Sequence, residues 1–227
     1  MTSRATELRV ALFAFGLLAG LFVALPQIDL WASGLFYRDG AWLLARDSVW
    51  LALPYHGLPR LGQGLLIALT AGLLLSFSKR LPRLQAHRTG IAFLLAAALL
   101  GPVLLVDATL KEHSGRTRPV NTTQFGGSKQ FTPAFIPADQ CEKNCSFVSG
   151  HVATAAFVMA FGWLGTPAVR RRWLMIGLAS AGFFALVRML PGGHFLSDCI
   201  FAWFATYFSL WATEWLFRRL GWLPKPG

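Results

Sequence analysis

Six apolar runs, each bounded by charged or turn-forming residues, divide the 227-residue chain. They extend approximately from Val10 to Leu25, Leu61 to Phe77, Ile91 to Val106, Val152 to Leu164, Trp173 to Leu190 and Cys199 to Phe217. At about 1.5 Å of rise per residue, helices of this length cross a hydrocarbon layer roughly 30 Å thick with some help from their flanks. The fourth run is the shortest and needs an extra turn at one or both ends. Backbone N–H and C=O groups inside a bilayer must pair within the chain, so each run is expected to be a helix. The sequence therefore predicts an all-α fold: one integral membrane domain over residues 1–227, a bundle of six transmembrane helices. Arg4 and Arg9 precede the first run as they would a secretory signal, but no small-x-small site follows Leu25 and five more runs come after it.

Charge placement orients the bundle. The formal net charge of +11 would suit a nucleic-acid partner only if it formed a basic face, and here it falls in short clusters between apolar runs. Twelve of the 21 Lys and Arg residues lie in one set of connections: Arg4, Arg9, Lys79, Arg80, Arg83, Arg88, Arg170, Arg171, Arg172, Arg218, Arg219 and Lys225. Positively charged loops stay in the cytoplasm, so both termini are expected inside. The opposite side carries the rest, together with eight of the ten acids. No protein or nucleic-acid partner is evident.

On the outer side, residues 26–60 carry Trp31, Phe36, Tyr37, Trp42 and Trp50, and such aromatics favour the headgroup zone, so an interfacial helix is expected there. Cys141 and Cys145 lie in the second outer segment. An oxidising compartment would favour a local disulfide between them; a zinc pair would require two further ligands. Cys199, inside the sixth run, reads as a small buried hydrophobe.

Ionisable groups at the ends of apolar helices gather on the outer face: Asp107, Lys111, Glu112, His113, Arg116 and Arg118, then Ser149-Gly150-His151, Arg188, His194 and Asp198. A phosphate gives each a task. Lys111, Arg118 and Arg188 neutralise it, and Ser149 and Gly150 offer a helix N-terminus, where unpaired N–H groups favour an anion. Asp107 and Lys111, four apart, read as a supporting ion pair. His194 and Asp198 also share a helix face, so the carboxylate fixes the imidazole tautomer and favours its charged form, leaving one nitrogen to attack phosphorus. His151 enters from another helix to protonate the leaving alkoxide. His-x-x-x-Asp matches metal-ligand spacing too, but four nearby cations would repel a metal ion, so neither metal nor cofactor is expected. His56, His87 and His113 read as structural, with lining of the site the second reading for His113.

At these residues the sequence resembles the type 2 phosphatidic acid phosphatase superfamily. Its first motif, Lys, six residues and Arg-Pro, is matched by Lys111 and Arg118-Pro119. Its second, Pro-Ser-Gly-His, is matched by Ser149-Gly150-His151 with Val148 in place of proline, and its third, Ser-Arg, five residues, His, three residues, Asp, by Arg188, His194 and Asp198 with Val187 in place of serine. The resemblance implies a phosphohistidine at His194 oriented by Asp198, a general acid at His151, and a phosphate pocket from Lys111, Arg118, Arg188 and the Ser149-Gly150 amides. Longer stretches, among them Lys111–Pro119, Asp139–His151 and Met189–Asp198, are similar to bacterial lipid A 4'-phosphatases. The resemblance thus implies a multi-pass protein of the bacterial inner membrane with a periplasmic active site, removing a phosphate monoester from a lipid, lipid A foremost. Phosphatidylglycerol phosphate, undecaprenyl diphosphate and a catalytically silent lipid-phosphate binder are the alternatives.

Overall fold

The computed structural model describes residues 4–45 and 48–224; Lys225, one of the twelve cations expected on the inner side, lies outside the described residues. The chain is mostly helical, apart from a long connection over residues 114–149. In order it forms α1 (Arg4–Ala24), α2 (Gln27–Gly34), a two-stranded hairpin β1 (Tyr37–Arg38) and β2 (Ala41–Trp42), α3 (Val49–Leu75), α4 (Pro82–Ala86), α5 (Arg88–His113), α6 (Gly150–Gly162), α7 (Pro167–Met189) and α8 (Leu196–Arg219).

Among the described residues four helices are long and apolar enough to cross a membrane: α1, α3, α5 and α7. The fourth and sixth apolar runs also form helices. However, α6 is short, and the 24-residue α8 carries Ser197, Asp198, Thr206, Ser209, Thr213 and Glu214, all buried. The exteriors of α1 and α3 are apolar instead, with Phe13, Trp50, Leu53 and Ile67 largely exposed. A helix that turns its polar groups inward and its apolar groups outward suits a hydrocarbon solvent.

The first outer segment differs from its expectation in one respect. A helix, α2, forms where an interfacial one was expected, but residues 49–60, read as connection, are the start of α3, and Pro54 and Pro59 lie inside that helix. Between α2 and α3 the hairpin pairs Tyr37 with Trp42 across Asp39-Gly40, both at positive φ, the pattern of a tight two-residue turn. It closes over the Pro191-Gly192-Gly193 link: Gly192 has φ +65, and a Cβ there would meet the Trp42 ring at 2.4 Å.

Within α5, residues 99–110 wind as a π-helix around Pro102, which has no N–H for the ladder, and the wider turn sets where Asp107 and Lys111 emerge. At the opposite end of the bundle a partly buried ionic cluster joins α1, α7 and α8. Arg170 contacts both oxygens of Glu7, at 2.9 and 3.1 Å, and lies 3.5 Å over Trp163. Glu7 also accepts from the Tyr207 hydroxyl, and Glu214 accepts from Arg4, Arg218 and the Trp163 indole.

Candidate active site

His194 follows the Gly192-Gly193 turn, one residue before the N-cap of α8, and is 2 % exposed. Its Nδ1 lies 2.8 Å from the Ser146 carbonyl and 3.5 Å from Asp198 Oδ2. A carbonyl only accepts, so Nδ1 carries the hydrogen and Nε2 keeps a free lone pair. The backbone of Ser146, which the sequence did not single out, is therefore the nearer of the two groups that fix the tautomer.

Asp198 sits in the first turn of α8 with every contact a donor. Ser146 Oγ donates to Oδ2 at 2.5 Å, the Phe195 N–H to Oδ2 at 2.8 Å, and Arg116 Nη1 to Oδ1 at 2.6 Å. Asp198 favours the charged form of His194, but burial outweighs it. Burial pushes the His194 imidazole from its ordinary 6.5 down to about 3; Asp198 pulls it up, and the Arg188 and Arg118 charges add to the lowering. The ring is neutral at pH 7, as a nucleophile must be.

The same proton governs part of the stability. The unfolded chain takes it up first, so the contribution of neutral His194 is intact above about pH 6.5 and is lost as pH falls toward about 3. The thermal midpoint of the detergent-solubilised protein is expected to drop on acidification through that window, and to drop less steeply in His194→Gln. Equal slopes would mean that another group governs the decline.

His151, in the first turn of α6, points its Nε2 at the Tyr55 carbonyl, 2.9 Å away, and its ring stacks on Tyr55 at 4.9 Å between centroids. That acceptor exists because of Pro59: four residues on from Tyr55, it has no N–H to return. Arg188, 3 % exposed at the end of α7, lies 4.6 Å over the other partner of the stack, Tyr55, and packs on Gly193, where a Cβ would meet its Nη2 at 2.8 Å. Tyr55, Arg188 and Gly193 thus link the surroundings of the two histidines, and the charges of Arg188 and Arg118 act on both rings.

Lys111 Nζ is 3.3 Å from Asp107 Oδ1, the expected pair. Both reach the start of α6 because Gly150 has no side chain: a Cβ there would stand 2.6 Å from Asp107 Oδ1 and 3.4 Å from Lys111 Nζ. The Ser149 amide, expected as an anion donor, is taken by the Asp198 carbonyl at 3.0 Å. Gly150 and His151 follow it, at positions where helix N–H groups have no intrahelical acceptor. The Ser149 hydroxyl is buried and makes no hydrogen bond among the described residues. Arg118 donates to the Asn144 carbonyl at 2.9 Å. His113 is turned back on its own helix, its Nδ1 2.8 Å from the Thr109 carbonyl.

Asn144 belongs to a loop closed by a disulfide between Cys141 and Cys145, the pairing left open by the sequence. The next residues tie this loop to the segment bearing Lys111: the Cys145 amide bonds the Lys111 carbonyl and the Ser146 amide the Arg116 carbonyl. Cys199 is buried. Thiol labelling of the native, unreduced protein is therefore expected to modify no cysteine, and reduction to open Cys141 to the reagent while the buried Cys145 stays protected; labelling of Cys141 before reduction would show the bridge to be absent.

Behind His194 lies a buried charge network that sequence reasoning missed. Arg116, 1 % exposed, donates through Nη1 to Asp198 and to Ser197 Oγ at 2.8 Å, through Nη2 to Asp29 Oδ2 at 2.8 Å, and through Nε to the Thr132 carbonyl at 2.9 Å. Asp29, on α2, accepts the Ser197 N–H at 2.8 Å and its hydroxyl at 2.6 Å. Burial raises the Asp29 carboxyl, against the pull of Arg116. Among the described residues no group of three or more His, Cys, Asp or Glu side chains is placed to hold a metal ion.

A cavity of about 690 Å³ opens from this site between α3, α5 and α6. Lys111, Gly150 and His151 line it together with apolar Leu58, Leu65, Leu66, Val103, Phe157 and Phe161.

The sequence pattern of the PAP2 superfamily matches residues 89–222. Three similar proteins each bear the name lipid A 4'-phosphatase. One from Francisella tularensis subsp. novicida is 38% identical over 136 residues, 59% of this chain and 60% of the relative, so the match spans less than two thirds of that protein. One from Rhizobium leguminosarum is 32% identical over 203 residues, 83% of this chain and 87% of the relative. One from Rhizobium etli is 33% identical over 203 residues, 83% and 79% of the two chains. No solved structure matches the chain.

Proposed function

The chain belongs to the PAP2 superfamily, and from that premise we propose that it hydrolyses a phosphate monoester from a membrane lipid, lipid A by preference, through a phosphohistidine at His194 and without a metal ion. The observation that carries this reading is the tautomer of His194: the Ser146 carbonyl holds Nδ1–H at 2.8 Å and leaves Nε2 as a neutral nucleophile.

Lys111, Arg118, Arg188 and the amides of Gly150 and His151 receive the phosphate, with the Ser149 hydroxyl beside them. Nε2 of His194 bonds to phosphorus while the P–O bond to the lipid breaks, and His151 gives the departing oxygen its proton. With Nε2–H held by Tyr55, Nδ1 of His151 is the nitrogen that carries this proton. The phosphate's own negative charge, arriving among three cations, favours protonation there. Water then attacks the phosphorus and gives its proton to Nδ1 of His151, the P–N bond breaks, inorganic phosphate leaves, and His194 returns neutral with His151 reprotonated. The cations do the charge stabilisation that a metal would otherwise supply.

The lipid enters from the bilayer, with an acyl chain along the cavity between α3, α5 and α6. All six apolar runs span in this reading, as one domain with both termini in the cytoplasm and the site at the periplasmic face of the inner membrane. Arg170 and Arg188 bracket this geometry. They lie near opposite ends of α7, eighteen residues and so about 27 Å apart, close to the thickness of a hydrocarbon core.

The test is phosphate release by purified protein from lipid A, phosphatidylglycerol phosphate, phosphatidic acid and undecaprenyl diphosphate, with mass spectrometry of the product, in the presence and absence of EDTA. Fastest release from lipid A, undiminished by chelator, is expected. Release from none of the four would leave only a silent binder.

A further inference from the structure

We infer that Asp29, acting from α2 through Arg116, is a positioning residue for the phosphoryl-transfer step, holding Asp198 and the His194 ring in register and supplying negative charge that the ring needs on bonding to phosphorus. This rests on the phosphohistidine reading and deepens it. Asp29 belongs to none of the three motifs and lies on the far side of Arg116 from the histidine.

The geometry is specific. Asp29, Arg116, Ser197 and Asp198 are all at most 1 % exposed, and the two carboxylates grip one guanidinium by different nitrogens. Asp29 also accepts both the amide and the hydroxyl of Ser197, the residue before Asp198, so it caps the same helix start that carries Asp198. The guanidinium is held on its flat side by the Phe195 ring at 4.4 Å. Shifting Asp29 would move Ser197 and Arg116 together, and both set the position of the Asp198 carboxylate.

The charges follow from the contacts. Asp29 receives three donors and Asp198 three more, and an ionised carboxylate is the form that only accepts. Two carboxylates facing one guanidinium leave negative charge in excess beside a neutral imidazole. When Nε2 bonds to phosphorus with Nδ1–H still in place, the ring becomes cationic, and the compensating charge is already fixed behind it. Substrate contacts are untouched, so the loss should appear in the chemical step and not in binding.

The experiment compares full-length wild type with Asp29→Asn, which keeps the size and an acceptor but removes the charge, using lipid A in mixed micelles. Removing a charged hydrogen bond felt in the transition state is expected to lower kcat by a factor of about 10 to 100 with KM within about twofold. In a single turnover quenched in base, phosphorylation of the His194 peptide should slow by the same factor. A folded Asp29→Asn protein with wild-type kcat, or with its loss confined to KM, overturns the inference. If that variant does not fold, Arg116→Lys decides by the same readouts, since an ammonium keeps the charge but not the two-sided grip. Inactive wild type would sink the phosphatase reading and this inference with it, whereas active wild type with equally active variants sinks the inference alone.

Discussion

Substituting His194 by alanine is expected to reduce phosphate release on the order of 10⁴-fold or more while leaving the protein folded and able to bind the phosphorylated lipid. The magnitude reflects what is removed: the ring whose Nδ1–H is fixed by the Ser146 carbonyl and whose Nε2 is free. Because Lys111, Arg118 and Arg188 remain, affinity for the substrate should survive, and a direct binding measurement on the variant separates it from a misfolded one. His151→Ala is expected to be less severe than His194→Ala, since water can protonate a leaving oxygen but cannot replace the nucleophile. It should also be more severe for a lipid alkoxide than for a leaving group that departs without a proton, such as p-nitrophenolate. If His194→Ala retained more than a few per cent of wild-type turnover, the covalent mechanism would be wrong whatever the fate of the lipid assignment.

Much of this centre was legible in the sequence because its parts recur at short spacings. His194 and Asp198 are one turn apart, Lys111 and Asp107 likewise, and Ser149-Gly150-His151 announces a helix start. What the sequence hid are contacts made across long separations. Asp29 and Arg116 are 87 residues apart and Arg116 and Asp198 82, so no periodicity links them. Asp29 also lies in a stretch whose aromatics gave it the look of an ordinary membrane interface. The start of α3 was hidden by its own chemistry: Pro54, His56, Pro59 and Arg60 read as a connection because proline weakens an isolated helix. In the folded chain the carbonyl that Pro59 leaves unpaired is the one His151 uses, so a local penalty becomes a tertiary contact. The neutral state of His194 was hidden for a related reason: helical spacing shows the neighbouring carboxylate, which does favour the charged form, but not the burial that outweighs it.

The same burial makes the end of the bundle that carries the site depend on Arg116 for stability. Arg116→Met puts an apolar side chain beside the Phe195 and Phe131 rings that flank the guanidinium but leaves the Asp29 and Asp198 carboxylates unneutralised in a site almost without solvent. Breaking a buried ion pair by removing one partner costs about 3–5 kcal/mol, mostly as the penalty of the stranded charge. At roughly 2–4 °C per kcal/mol for a chain of this size, the thermal midpoint should fall by about 6 to 20 °C. A purely packing role predicts a small change, because methionine fills much of the same space. The two explanations part in the double variant. If stranded charge is the cause, adding Asp29→Asn to Arg116→Met should raise the midpoint again, although the same substitution lowers it in the wild-type background, where it breaks an intact pair. A sign reversal of that kind is the signature of coupled charges, and simple additivity of the two losses would show that Arg116 holds the site by shape alone.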